Sequence, residues 1–287
     1  MIKAHFGPGG NCEAFAAKYK GKGIYAPRWV KENGLDAYEY EAGRGIMATE
    51  DALLKFGAEA RAQGIRLSLH APYFISLASV EPEKRMNSIR YIADSLYAAE
   101  LIGASIIVVH MGGTAKQSRE DAMRLSADTV AKTLEMLPDN GVLIGLETMG
   151  KINQLGTLEE VISLCKMDRR LSPVVDFGHL NARNLGNTFP DVASYRQVFE
   201  KIGEELGDDK ARFLHCHFSR ILYTEKGGEK NHVTFADTQW GPEPAPLMQA
   251  IAELGVSPTI ICESAGTQTA DAVSMKNDYE RMLKHEH

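Results

Sequence analysis

The sequence predicts an α/β protein folded as one (β/α)8 TIM barrel, a single domain over residues 1–287. Two observations lead there. Eight short apolar runs alternate with longer amphipathic segments, and glycines fall where several of those segments stop. A third narrows the choice: six consecutive runs end on a side chain able to bind metal, as expected where barrel strands converge on one mouth.

The apolar runs, in order, are residues 2–6 (IKAHF), 35–40 (LDAYEY), 66–70 (RLSLH), 105–110 (SIIVVH), 142–147 (VLIGLE), 172–176 (SPVVD), 212–217 (RFLHCH) and 259–263 (TIICE). Their length and mostly β-branched content mark buried parallel strands. Between them, residues 50–63 carry apolar groups near a helical period, at 52, 53, 56, 58 and 60. Further helical segments are 81–102, 118–137, 157–166, 190–206, 243–254 and 269–284. Gly64, Gly103, Gly141 and Gly255 follow four of these segments and supply the left-handed conformation that ends a helix. An open doubly wound sheet would call for a phosphate loop after the first strand. The chain has FGPGGN (6–11), which is neither GxGxxG nor a Walker A loop, so the closed barrel is preferred.

Composition excludes several classes. No apolar run reaches the ~18 residues that span a bilayer. The start, MIKAHFGPGGN, has no apolar signal core, so a cytoplasmic protein without a membrane partner is expected. Cys12, Cys165, Cys216 and Cys262 lie far apart with no CxxC, against a disulfide scaffold or zinc ribbon. The net charge is −6, so any hold on nucleic acid needs a local positive source, and bound cations would supply it.

The six run ends are His70, His110, Glu147, Asp176, His215 and Glu263, at gaps of 40, 37, 29, 39 and 48 residues, each about one β/α unit. Singly, a histidine at a strand end is more often a hydrogen-bonded surface group, and a glutamate a solvated loop residue. Six in consecutive register require all those explanations to hold together. Three carboxylates and three imidazoles at one mouth would repel or stay unsatisfied without a cation. Mixed donors of this kind suit zinc, with manganese or iron as alternatives, and so many ligands point to more than one ion. His179, three residues after Asp176, and His232, in the loop after the seventh run, extend the set. His5 and His217 read mostly as ordinary side chains, with His5 able to line the site and His217 able to support a ligand. Cys216 and Cys262 point to the helix side by the two-residue period.

Taken together, LHAPYFISL (69–77), VVHMGG (108–113), GLETMGK (145–151), VVDFGHLNA (174–182), LHCHFSR (214–220) and CES (262–264) resemble the metal motifs of the endonuclease IV family. Those are apurinic/apyrimidinic endonucleases, related to the xylose-isomerase-like barrels. The resemblance implies a trinuclear zinc site and cleavage of damaged double-stranded DNA on the 5′ side of an abasic site. It implies His70 and His110 as ligands of a first ion, Glu147 as a carboxylate bridging to a second, and Asp176, His215 and Glu263 as ligands of that second ion. His179 and His232 would hold the third. The family also supplies an aspartate two residues before that last histidine, in a D-R-H pattern. Lys230 stands there instead, with Glu229 the nearest carboxylate, so a weakly held third ion is expected, and replacing Lys230 by Asp should strengthen it. Tyr73 matches the family's DNA-contacting tyrosine, and Arg44 is a candidate phosphate or abasic-site contact.

The chemistry expected is ion-assisted hydrolysis, with Glu147 or Glu263 orienting the attacking water. Lys116, Arg119, Lys151, Arg183, Arg220 and Lys226 are candidates to hold flanking phosphates, and no obligate protein partner is inferred. The alternative is a metal-dependent sugar isomerase or epimerase on the same barrel, with one ion and a proton shuttled at carbon, for which Glu147, Asp176, His215 and Glu263 would suffice. A purely structural metal site would not need eight ligands around an open mouth.

Overall fold

The computed structural model describes residues 3–285. The chain opens with β1 (His5–Pro8), α1 (Glu13–Tyr19) and α2 (Ala26–Glu32). It continues as β2 (Ala37–Glu41), α3 (Glu50–Gln63), β3 (Arg66–His70), α4 (Pro82–Ile102), β4 (Ile106–Val109), α5 (Arg119–Met136), β5 (Leu143–Glu147) and α6 (Leu158–Cys165). Then come β6 (Leu171–Asp176), α7 (Phe177–Arg183), α8 (Val192–Leu206), α9 (Asp208–Arg212), β7 (His215–Phe218), the hairpin β8 (Arg220–Thr224) and β9 (Gly228–Val233), α10 (Pro244–Leu254), β10 (Thr259–Cys262) and α11 (Gln268–His285).

All eight apolar runs are strands of one parallel sheet, in the order β1-β10-β7-β6-β5-β4-β3-β2. The edges β1 and β2 come together: the Asp36 amide donates to the Phe6 carbonyl at 3.1 Å, and the Gly10 amide to that of Glu39 at 3.0 Å. A Cβ placed on Gly7 would sit 1.7 Å from the Ala37 oxygen, so only glycine lets β2 approach this seam. The result is a nearly closed (β/α)8 barrel.

The seven long helical segments form where periodicity places them. Thr49 and Ser118 cap α3 and α5, and Thr157 with Glu160 forms a reciprocal capping box at α6. Four short helices, α1, α2, α7 and α9, are too brief to show a period, and α1 buries only Phe15. The helices seal the outer core, while Ile106, Val108 and Val174 form a separate apolar cluster inside the barrel.

By strand parity that cluster lies on the same faces as His110 and Asp176, one layer below them. His5 begins β1 and pairs with Asp36 at 3.2 Å, away from the mouth, which agrees with its reading as a mostly ordinary side chain. Ile2 and His287 fall outside the described residues. No described helix is long and apolar enough to cross a membrane.

Candidate metal centre

Inward-facing residues at the carboxyl ends of the strands gather the polar set. His70 closes β3, His110 follows β4, Glu147 closes β5, Asp176 closes β6, His217 stands in β7 and Glu263 follows β10. Their donor atoms form two groups joined at Glu147: His70, His110 and Glu147, and then Glu147, Asp176, His217 and Glu263. Glu147 Oε2 lies 2.8 Å from His110 Nε2 and 3.5 Å from His70 Nε2, while its Oε1 lies 2.9 Å from His217 Nδ1. One carboxylate thus faces both groups.

Local sequence explains the next addition. Asp176 Oδ1 caps α7 by accepting from the His179 amide at 2.7 Å, which turns His179 back over the strand end. Asp176 Oδ2 remains buried with no hydrogen-bond partner and faces the centre. His179 Nδ1 donates to the Thr148 carbonyl at 2.9 Å, so Nε2 is presented to a third group, made with Glu229 and His232.

Glu229 enters that group through a β-bulge. In the β8–β9 ladder Leu222 opposes Asn231 and Tyr223 opposes Glu229, so Lys230 is the extra residue. Two residues three apart normally face opposite sides of a strand; the bulge returns Glu229 to the face of His232. Its Oε2 is 3.5 Å from His179 Nε2 and its Oε1 is 4.0 Å from His232 Nε2. The loop therefore supplies its own carboxylate, and Lys230 is simply exposed. The expectation built on Lys230 changes: Lys230→Asp should leave the ion count unaltered. Gly150 makes the room, since a Cβ there would lie 2.6 Å from Glu229 Cβ and 2.8 Å from its Oε2. We expect Gly150→Ala or Glu229→Ala to lower bound metal by one ion per chain with the other two retained, read by elemental analysis of dialysed protein. A full ion count in Glu229→Ala would show that this carboxylate holds nothing.

The electrostatics of the ion-free protein point the same way. Burial disfavours every charge here, yet the neighbouring His110 and His217 imidazoles hold the Glu147 carboxyl well below its usual range. Burial likewise opposes protonation of His70, but Glu147 and Glu41 raise it to about 10. His179 rises to about 9 against burial, chiefly through Asp176, whereas burial pushes His110 and His232 down. Buried carboxylate oxygens of Glu147, Asp176 and Glu229 lack hydrogen-bond partners. Such orphaned acceptors, set among neutral and protonated imidazoles, fit divalent ions that accept both donor types.

Two sequence assignments move. His215, expected on the second ion, is level with Val174 and Thr259, one layer deeper, while His217 is level with Asp176 and is the histidine grouped with Glu147, Asp176 and Glu263. His215 Nε2 instead meets Glu39 at 2.9 Å. Of the six cations expected to hold phosphates, three are committed elsewhere. Arg119 binds Glu160 and two loop carbonyls, Arg183 binds four carbonyls of residues 149–154, and Arg220 binds Glu243 and the Asp237 carbonyl. Lys151 alone of the six lines the centre's cavity of ≈ 350 Å³. Tyr73 borders that cavity and also an adjoining cleft of ≈ 520 Å³ that Arg44 lines, and its hydroxyl donates to Glu41 at 3.1 Å. Cys216 and Cys262 are buried, and burial lifts the Cys262 thiol to about 12.

Glu39 and Glu41 escaped the sequence reading. Their signal was available: in LDAYEYE both acids share the inward parity of a strand that, in a parallel barrel, is covered on both faces.

The comparisons with known proteins agree with this architecture. A family model described as the xylose isomerase-like TIM barrel matches residues 27–284. An uncharacterized protein of Methanocaldococcus jannaschii is 30% identical over 255 residues, 88% of this chain and 90% of that one. A probable endonuclease 4 of Mycoplasma pneumoniae is 30% identical over 165 residues, 55% of this chain and 54% of its own length. The chain thus spans about half the length of that endonuclease 4 relative. Among solved structures, a D-tagatose 3-epimerase-like protein superposes with TM-score 0.72 at 16% identity, covering 98% of this chain and 99% of that one. Endonuclease IV from Thermus thermophilus superposes with TM-score 0.68 at 19% identity, with the same coverage of each. These two structural likenesses show the fold alone. The family model over nearly the whole chain, with a relative aligned along most of its length, establishes that the chain belongs to the xylose isomerase-like TIM barrel family.

Proposed function

We propose that this chain is a metal-dependent phosphodiesterase that cuts double-stranded DNA on the 5′ side of abasic sites, with two or three zinc ions. The observation that carries the reading is that three of the five donor groups among the described residues together take in His70, His110, Glu147, Asp176, His179, His217, Glu229, His232 and Glu263, two of the three sharing Glu147. A one-ion sugar isomerase would use Glu147, Asp176, His217 and Glu263 and leave His70, His110, Glu229 and His232 without a task. The probable endonuclease 4 relative supports the same choice.

His70 and His110 would hold one ion with Glu147; Asp176, His217 and Glu263 would hold a second with it; His179, Glu229 and His232 would hold a third. Bound ions there supply Lewis acidity and neutralise charge on a scissile phosphate. The chain's own groups do the rest. Glu263, at the open edge of the cluster, accepts a hydrogen bond from the attacking water and aims it. Lys151 takes a nonbridging phosphate oxygen from the cavity wall. Tyr73 is exposed at the rim and offers its ring to an unstacked nucleotide, with Arg44 across the adjoining cleft for a flanking phosphate. A net charge of −6 then works against DNA everywhere but at the ion-bearing mouth.

Zinc-loaded protein should nick a duplex carrying one tetrahydrofuran abasic analogue, leaving a 3′-hydroxyl, and should spare the undamaged duplex. Elemental analysis should approach three ions per chain. No cleavage, with about one ion per chain and epimerisation of a free ketohexose, would overturn the reading in favour of the sugar enzyme.

A further inference from the structure

Loops at the rim of a barrel are ordinarily its most mobile parts. Residues 149–154, after β5, are instead held at every carbonyl. Arg183 donates to those of Met149, Lys151, Ile152 and Gln154 at 3.1, 2.7, 3.1 and 3.1 Å. Arg119 donates to those of Ile152 and Gln154 at 3.3 and 3.0 Å. The Glu229 amide donates to the Gly150 carbonyl at 3.1 Å, and the Thr114 amide to that of Asn153 at 2.9 Å. Ile152 and Gln154 each receive both guanidiniums, which occupies both lone pairs of each oxygen.

The two arginines are themselves anchored. Arg119 is gripped by both oxygens of Glu160, whose Oε2 also accepts from the Gly156 and Thr157 amides at 2.8 and 3.0 Å. Arg183 stands four residues after His179 on α7, so both share one face of the helix. His179 meets the Thr148 carbonyl at 2.9 Å, and Arg183 meets the carbonyls that follow. All four hydrogen bonds of Arg183 among the described residues go to this one segment. Neither arginine lines the centre's cavity, whereas Met149, Lys151 and Gln154 do. Arg183 lines a separate cavity of ≈ 330 Å³. Any effect of these cations on a ligand at the centre therefore passes through the segment.

We propose that Arg183 is a positioning residue for phosphate binding: its planar fork, with Arg119 beside it, fixes residues 149–154 so that Lys151 stands ready at the ion-bearing cavity. This rests on the reading of Lys151 as a phosphate contact. A lysine on a loose loop must have its backbone ordered as well as its side chain when an anion binds, and both cost entropy. Holding the backbone beforehand removes the first cost. The fork is what matters. A lysine at 183 would keep the charge, but its donors share one nitrogen and cannot span four carbonyls.

The test uses the full chain saturated with zinc, with inorganic phosphate as the probe, followed by calorimetry. Lys151→Ala and Arg183→Met should each weaken phosphate on the order of tenfold, and the double variant should be no weaker than Lys151→Ala alone, since residues acting through one another are not additive. Arg183→Lys should be as weak as Arg183→Met. Hydrogen exchange should quicken at the amides of residues 150–154 in both Arg183 variants, while β4 and β5 keep wild-type protection. Arg119→Gln, which removes two of the six guanidinium bonds, should show a smaller loss, again absent beside Lys151→Ala, and carries the test if the Arg183 variants unfold. Additive losses in the double variant would overturn the proposal. So would wild-type phosphate affinity in Arg183→Met or Arg183→Lys, or a zinc-loaded wild type that takes up no phosphate. None of these readouts consults DNA cleavage: a chain that passes them but leaves abasic DNA uncut refutes the nuclease reading alone.

Discussion

Glu147→Gln should remove two ions together and lower the rate of abasic-duplex cleavage by ~10³-fold or more, because ion-supplied charge stabilisation is worth several kcal/mol and each ~1.4 kcal/mol is tenfold. The size of the effect follows from geometry. Glu147 Oε2 faces His110 and His70, and Oε1 faces His217, so one side chain closes both donor groups. Replacing a ligand that serves one ion would spare the other; replacing the shared one spares neither. The third group, built on His179, Glu229 and His232, contains no Glu147 atom and should keep its ion.

The fold should survive that substitution. Removing one member of a buried ion pair is costly when the other stays charged. Here the remaining partners are imidazoles, which shed a proton far more readily than a lysine or arginine would. Glutamine preserves the volume, so no cavity opens beside the closely packed strand ends. A melting temperature close to that of the ion-free wild type, together with a metal content reduced by two, is the expected pair of measurements. Wild-type metal content with wild-type cleavage would show that Glu147 holds no ion.

The barrel was legible because eight short apolar runs have few ways to pack in parallel, and the strand ends were legible because each run stops where the mouth begins. His70, His110, Glu147, Asp176 and Glu263 all sit at such stops. The choice between His215 and His217 was not legible. Both share one parity in LHCH, and only the pairing of His217 with Asp176 shows which one reaches the mouth. Glu229 was hidden for a different reason: a bulge at Lys230 changes which residues share a face without changing the spacing in sequence. The phosphate-binding candidates on the loops failed by excess. Arg119, Arg183 and Arg220 lie on the expected face, but neighbouring loop carbonyls and carboxylates had already claimed them, and such local pairing leaves no mark in one dimension. The short helices α1, α2, α7 and α9 were missed because five to seven residues make barely two turns.

Loading the ion-free protein with zinc at pH 7 should release about three protons per chain, since ligating nitrogens must be free of hydrogen. The imidazoles supply most of them, with a further share from Asp176, whose carboxyl burial raises to about 7. Burial alone would discharge His70, His179 and His217, but the surrounding carboxylates outweigh it: Glu147 foremost for His70, Asp176 for His179, Glu263 for His217. His70 is held at about 10, His179 at about 9 and His217 well above its usual value, so all three are cationic at neutral pH. His110 and His232 are shifted down and have little to release. Two consequences have opposite signs. In the ion-free chain these raised values stabilise the fold fully below the unfolded histidine value of about 6.5, and that stabilisation is lost as pH rises through about 9 to 10. Zinc affinity runs the other way, rising with pH because protons compete for the same nitrogens. The difference in melting temperature between loaded and ion-free protein should therefore widen steadily from pH 6 to pH 9. A pH-indicator titration in weak buffer measures the released protons directly. Loading without proton release would mean that the carboxylates are not balanced by imidazolium in the ion-free protein, and this electrostatic account of the centre would fall.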